Sequence, residues 1–376
     1  MTEFHYSIIP DAKTVTPNET LWSFHGVDRH PGPAGTAVLH KHRGDYRCMV
    51  QANVADALAL CAPYRTMEAH TRHIINEFPE LAQHAAHTEK TLLGLAEAGL
   101  FESSESTWRR LTERNSDSAP IAKCRLFILT CDRPSALERL LRHLVDRPMP
   151  REVEGVWVID DSRQSENHTI NARIIETLGS TCPVPLTHFD ATQRAQLIEN
   201  LKVAVPESTD TIDWLLSAAS WGEIPTYGVA RNFALLLSVG KRALVLDDDI
   251  MLDAITPPLS PKTLRMGHAN DREAVFYPSQ EALDQHALPS QESPLALMLS
   301  SLGHRLAALL PKHLGNDRGL AGINGRLLNH LSGHSVARIT QCGSWGDPGT
   351  ANANWIFHLP ENTIKKLLET GGSLAN

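Results

Sequence analysis

The chain has 376 residues, long for one compact domain, so two domains are expected. Its composition, 42% hydrophobic and 21% charged with few aromatic residues, is that of an ordinary globular protein. The net charge is −8 with no long Lys/Arg run, which disfavours duplex nucleic acid as a partner, while a nucleotide would need only a metal and a few local donors.

Residues 1–45 are rich in Pro, Gly and His and read as loops and short strands. Three helices are expected next: Val54 to Leu60, Thr66 to Glu77 and His87 to Ala98. The last stops at Gly99 and runs into Leu100-Phe101, as a helix leading into a wing or strand does. ESSESTWRRLTERNSDSAPI (102–121) is polar and Pro/Ser-rich, the best linker candidate, with Trp108 and Leu111 suggesting a short packed helix inside it. The boundary is therefore set at 118/119: a small module over 1–118 and a larger domain over 119–376.

The pattern changes at Cys124. Arg125 to Thr130 is a short apolar run suited to a buried parallel strand, and Asp132-Arg133-Pro134-Ser135 starts a helix with Leu137, Leu140, Leu141 and Leu144 on one face. Gly155 to Ile159 is a second buried strand, ending in Asp160-Asp161-Ser162. A helix over 170–178, an extended piece near Leu186 to Phe189, and helices over 194–203 and 228–239 follow. Arg242 to Leu246 is a third buried strand running straight into Asp247-Asp248-Asp249. Strand–helix alternation of this kind predicts an α/β fold, a mostly parallel sheet with helices on both faces. Such sheets bind ligands at the carboxyl ends of their strands, where these acidic clusters fall. Residues 251–292 read as a large loop, Leu295 to Leu310 as one amphipathic helix, 315–325 as a Gly-rich loop, 335–340 as a strand, and Thr363 to Leu368 as a last helix.

No run of roughly 18 apolar residues exists, so no transmembrane segment is expected. Met1 to Pro10 lacks the basic-then-apolar pattern of a signal peptide. Six scattered cysteines without a CxxC pair favour reduced thiols, and with them a cytoplasmic location. The 19 histidines contain no HExxH-like ligand pair and read as surface and loop residues.

Three consecutive carboxylates after a buried strand repel one another, and burial adds to that cost. A divalent cation would offset it, and hard oxygen donors suit Mg²⁺ or Mn²⁺. Alternation along an extended chain lets Asp247 and Asp249 face the metal together while Asp248 points elsewhere. A metal so held could bridge the phosphates of a nucleotide diphosphate.

Four local patterns then resemble, in order, the nucleotide-binding half of GT-A-type glycosyltransferases, especially family 2: LTCDRPSALERLLRHL, VWVIDDSRQSEN, YGVARNFALLLSVG and ALVLDDDIML. The resemblance covers residues 125–262 and implies a GT-A-like (Rossmann-like) fold that transfers a sugar from a nucleotide-diphosphate donor, UDP-linked foremost. It implies Thr130 and Arg133 at the base and ribose, Asp160 or Asp161 accepting from the ring edge or ribose, and Arg231 on the phosphates with Asn232 beside it. It implies Asp247 near ribose or metal, Asp248 close by, and Asp249 as the firmest metal ligand. The chain departs from the family in lacking an E-D pair after the triplet. Asp347 in GSWGDPG, beside Trp345, is the best replacement base, and His330, His334 and His358 are candidate late metal ligands. Residues 35–102 resemble the small winged-helix modules that bind leader peptides in ribosomal-peptide maturation, which implies a peptide or protein acceptor. Two alternatives stay open: nucleotidyl transfer, although CDRPSA offers no Gly-rich phosphate loop, and a non-catalytic nucleotide-binding scaffold.

Overall fold

The computed structural model describes residues 20–42, 46–114, 120–222, 228–256, 266, 273–286, 288–342, 359–370 and 372–375.

The amino-terminal part opens with β1 (Trp22–Ser23), then β2 (Val27–Pro31), β3 (Thr36–Lys41) and β4 (Arg47–Gln51), the last three forming an antiparallel sheet in the order β2-β3-β4. Ala37 and Leu39 on β3 are buried while Val38 and His40, which alternate with them, are only half-buried, the period of two expected of a half-buried strand. Helices α1 (Ala52–Ala59), α2 (Met67–Glu77) and α3 (Ala85–Glu97) cover the inner face with Leu58, Met67, Ile74, Leu92 and Ala96. Thr66 caps α2 by accepting from the Ala69 amide at 3.2 Å. Gly99, at φ +85°, ends α3 and turns Leu100 and Phe101 into the same core.

The first half of the stretch expected as a linker forms a strand and a helix. Glu102–Ser103 forms β5, paired antiparallel with β1, and α4 (Ser104–Thr112) follows under a Ser103 cap. The polar surface of this helix masks one buried side, Ser104, Thr107 and Leu111, which is why composition alone suggests a tether.

The larger part holds a four-stranded, all-parallel sheet: β6 (Cys124–Thr130), β7 (Val153–Asp160), β8 (Leu186–Phe189) and β9 (Arg242–Asp247), in the spatial order β8-β7-β6-β9. Connections run through α5 (Pro134–Val145), α6 (Ser165–Gly179), α7 (Ala191–Ala204), α8 (Thr209–Leu216) and α9 (Val229–Leu237). Alternate side chains feed two cores. Leu126, Ile128, Val156, Val158, Leu244 and Leu246 meet the leucines of α5 and α6. Phe127, Leu129 and Ile159 meet Ile212, Phe233 and Ala234 of α8 and α9. The two central strands, β6 and β7, are covered on both faces and read as apolar runs, while the edge strands β8 and β9 are less buried. The chain leaves β6 toward β7 and β8 with helices on one face, then returns on the other face to β9. The order therefore reverses between β6 and β9, where a ligand crevice opens in doubly wound sheets.

Beyond β9 come β10 (Ile255–Thr256), β11 (Glu273–Phe276), α10 (Gln280–His286) and β12 (Leu288–Pro289), so the loop expected over 251–292 carries short elements. The single helix expected from Leu295 to Leu310 is two: α11 (Pro294–Leu299) and α12 (Leu306–Leu314). Gly303, at φ +80°, breaks them, and a Cβ there would stand 3.1 Å from Arg242 Cδ. The buried Arg242 guanidinium uses this bend, donating to the Leu302 carbonyl at 3.0 Å and the Ala122 carbonyl at 2.8 Å. Residues 335–340 make one bridge, Val336 to Arg305, in place of a strand. The chain closes with α13 (Glu361–Thr370) and β13 (Gly372–Ala375), paired with β11.

The segment from α12 to Leu328 packs against the amino-terminal residues. Leu310, Leu314, Leu320, Ile323 and Leu328 share a core with Leu21, Tyr64 and Leu111. Among the described residues no helix is long and apolar enough to cross a membrane.

Candidate functional site

The reversal point brings Thr130, at the end of β6, beside Asp248, just past β9. Thr130 Oγ1 donates to Asp248 Oδ2 at 2.8 Å, and both residues are buried. The acidic triplet alternates as an extended chain should: the Asp248 side chain is 3% exposed, those of Asp247 and Asp249 55% and 47%. Burial pushes the Asp248 carboxyl above its usual range; the Thr130 bond and the Arg133 charge oppose this, and Asp249 and Asp247 add to it.

Two arginines flank the triplet. Arg133, from the loop between β6 and α5, lies 3.1 Å from Asp248 and 2.9 Å from Asp249. Arg231, one turn into α9, lies 3.0 Å from Asp247. Both guanidinium side chains are 52% exposed, so each can also reach an anion in the crevice. Arg133 thus contacts two of the three carboxylates of the triplet.

Asp160 stands at the carboxyl edge of the sheet, in register with Thr130, with its side chain turned inward. It ends β7 with its side chain fully buried, and its Oδ2 accepts from His188 Nε2 (3.0 Å), Asn171 Nδ2 (3.1 Å) and His168 Nδ1 (3.2 Å). Its Oδ1 accepts from the Ser162 amide at 3.0 Å. Burial works against its charge, yet the bonds from His188, Ser162 and Asn171 outweigh it and hold the carboxyl far below the usual range. With its acceptors filled this way, Asp160 ties β8 and α6 to the sheet. Asp161, beside it, is partly exposed and ion-pairs with Arg194 on α7. Of the pair it is the one open to a ligand.

Asn232 faces away from the triplet, donating to the Leu215 carbonyl at 2.8 Å and so linking α9 to α8. Asp347, Trp345 and His358 lie outside the described residues. His330 and His334 follow the turn ending at Leu328, and their neighbour Gly333 hydrogen-bonds through its amide to Arg110 in α4. Among the described residues, neither histidine joins a group of three converging ligand atoms.

Several site-forming residues escape the sequence reading. Asp132 sits at φ +53°. Its Oδ1 accepts from the Arg163 and Gln164 amides, both at 3.1 Å, and from Asn167 Nδ2 at 3.0 Å. It thereby ties the loop after β6 to the stretch leading into α6, joining the two strand-end loops. His168 and Asn171 lie three apart on α6, a spacing that puts both on one face, and this signal could have been read. Nothing in the sequence marks Arg194 or His188 as partners of these aspartates.

The donor set fits a hard divalent cation: carboxylate oxygens only, two of the three carboxylates about half exposed. As folded, the triplet's charge is met by Arg133, Arg231 and Thr130, and its carboxylates do not bring three ligand atoms within 4.8 Å of one another. Compared with known proteins, the chain matches no family model, no curated protein and no solved structure.

Proposed function

We propose that the chain is a glycosyltransferase that moves a sugar from a nucleotide-diphosphate donor, UDP-linked foremost, to an acceptor presented by the amino-terminal module. What supports this reading is the bond between Thr130 and Asp248 across the reversal of the parallel sheet, with two half-exposed arginines on either side. A carboxylate triplet between guanidinium groups suits a diphosphate better than a neutral ligand: the arginines fork onto phosphate oxygens and the carboxylates hold a counter-cation.

In this reading Arg133 and Arg231 exchange part of their contact with Asp249 and Asp247 for the two phosphates. Asp161 accepts from a ribose hydroxyl or a ring N–H at the end of β7. Asp247 and Asp249 would hold Mn²⁺ or Mg²⁺, whose positive charge would stabilise the departing diphosphate. Asp347 is the candidate base for the acceptor hydroxyl. The antiparallel sheet β2-β3-β4 with α1, α2 and α3 is the element count of a winged-helix module, and a peptide or protein is the acceptor this suggests.

Calorimetry with UDP, with and without Mn²⁺, tests the reading. Binding should require the metal and disappear in Asp247→Ala with Asp249→Ala. Metal-independent binding, or binding untouched by the double substitution, would overturn it. A nucleotide-sugar panel scored for metal-dependent hydrolysis then identifies the donor.

A further inference from the structure

The β2–β3 hairpin carries a cluster of ligating side chains that the sugar-transfer reading does not use. Asp28 and His30 are two apart on β2; His40 and His42 are two apart at the end of β3 and just beyond. The two-residue period puts each pair on one face. The register pairs Asp28 directly with His40, and the inward face is taken by Ala37 and Leu39, so the cluster stands on the solvent side. One ligand atom each from Asp28, His30 and His40 lies within 4.8 Å of the others. His42 Nε2 lies 2.7 Å from Asp28 Oδ1.

We propose that this face of the hairpin is a binding site for a divalent d-block cation, Zn²⁺ foremost, held by Asp28, His30 and His40. Two imidazoles and one carboxylate are a borderline donor set, which favours Zn²⁺, Ni²⁺ or Cu²⁺ over the Mg²⁺ and Mn²⁺ suited to the all-oxygen triplet. Around tetrahedral zinc, with bonds of about 2.0–2.2 Å, ligand atoms stand roughly 3.4 Å apart. The three groups need to close by at most about 1.5 Å from their present spacing, which side-chain rotation at a solvent face supplies. The cross-strand placement makes the cation a clamp between β2 and β3. His42 supports the site by hydrogen-bonding the ligating carboxylate, as partners of metal ligands commonly do.

The test uses the full chain, freed of metal by chelation and titrated calorimetrically with Zn²⁺. One equivalent should bind to the wild type and to Asp247→Asn with Asp249→Asn. The same equivalent should be lost in His30→Ala with His40→Ala, whose far-UV circular dichroism should match the wild type because the two side chains lie on the solvent side. His42→Ala should keep the equivalent and weaken it about 10- to 100-fold. Co²⁺ in place of Zn²⁺ should give visible ligand-field absorption in the wild type that the His30/His40 double variant lacks. No bound equivalent in the wild type, or an equivalent unchanged in that double variant, overturns the proposal. Loss of the equivalent in the triplet variant alone would move the metal to the acidic site and overturn it equally.

Discussion

Thr130 and Asp248 are 118 positions apart in sequence and 2.8 Å apart in space, a hydroxyl and a buried carboxylate joined where the sheet order reverses. The contact fixes the carboxyl end of β9 against that of β6. It holds Asp248 inward and so leaves Asp247 and Asp249 facing the crevice. The flanking arginines reach this triplet from two separate places, the loop just ahead of α5 and the first turn of α9.

Thr130→Val keeps the shape and removes the donor. Asp248 then retains Arg133 alone in a buried setting, so the change should cost about 1–3 kcal/mol, the usual penalty for a buried acceptor losing its partner. Urea denaturation of the two proteins measures it. An unchanged midpoint would mean that the hydroxyl does not stabilise this carboxylate.

Arg231→Ala removes one of the two guanidinium groups beside the triplet. Under the sugar-transfer reading it should weaken nucleoside diphosphate binding about 10- to 100-fold, the equivalent of one charge-assisted contact. Calorimetry with UDP and Mn²⁺ checks this, and equal affinities in the two proteins would remove Arg231 from the donor site.

His70 reports on the amino-terminal core. It is fully buried, its Nε2 bonds to the Trp22 carbonyl at 2.8 Å, and burial holds its pKa down at about 4 from 6.5. An unfolded chain takes up a proton at this residue below pH 6.5, and the folded chain resists until about 4. Its contribution is therefore complete above pH 6.5 and is lost as pH falls toward 4, a change on the order of 3 kcal/mol. Unfolding free energies across that window should fall for the wild type and stay flatter for His70→Leu. Glu102 acts lower down: burial opposes its charge, but His25 and Arg110 hold its pKa at about 2 against 4.5, so its contribution fades only in stronger acid.

Gly325→Ala tests the packing of the late segment on the amino-terminal module. A Cβ at this position would run into Ser23 Oγ and His25 Nδ1 well inside contact distance. His25 cannot yield freely, because its Nε2 lies 2.9 Å from Glu102. The substitution should cost about 1–3 kcal/mol and lower the thermal midpoint. A neutral result would show that the turn can move off the module.

The sheet was legible in the sequence because its central strands β6 and β7 are buried on both faces and the edge strand β9 keeps apolar residues even where Val245 is exposed. Arg125 to Thr130, Gly155 to Ile159 and Arg242 to Leu246 each read as unbroken apolar runs, and the helices between them carry clean faces such as Leu137, Leu140, Leu141 and Leu144. Elements with mixed surfaces were not legible. α4 passes for a linker because one buried stripe hides among polar residues, and one helix reads where Gly303 makes two.

For the site, the sequence determined which strand ends are acidic, since that needs only a local run followed by charge. It did not determine which carboxylate is spent on the fold. Asp160 and Asp161 are neighbours of identical chemistry, yet His168, His188 and Asn171 converge on the first and leave the second partly open. Those partners come from α6 and β8, and only tertiary packing brings them within hydrogen-bond range. The same holds for the hairpin: D-x-H and H-x-H can be read along the chain, but the strand register decided that Asp28 faces His40.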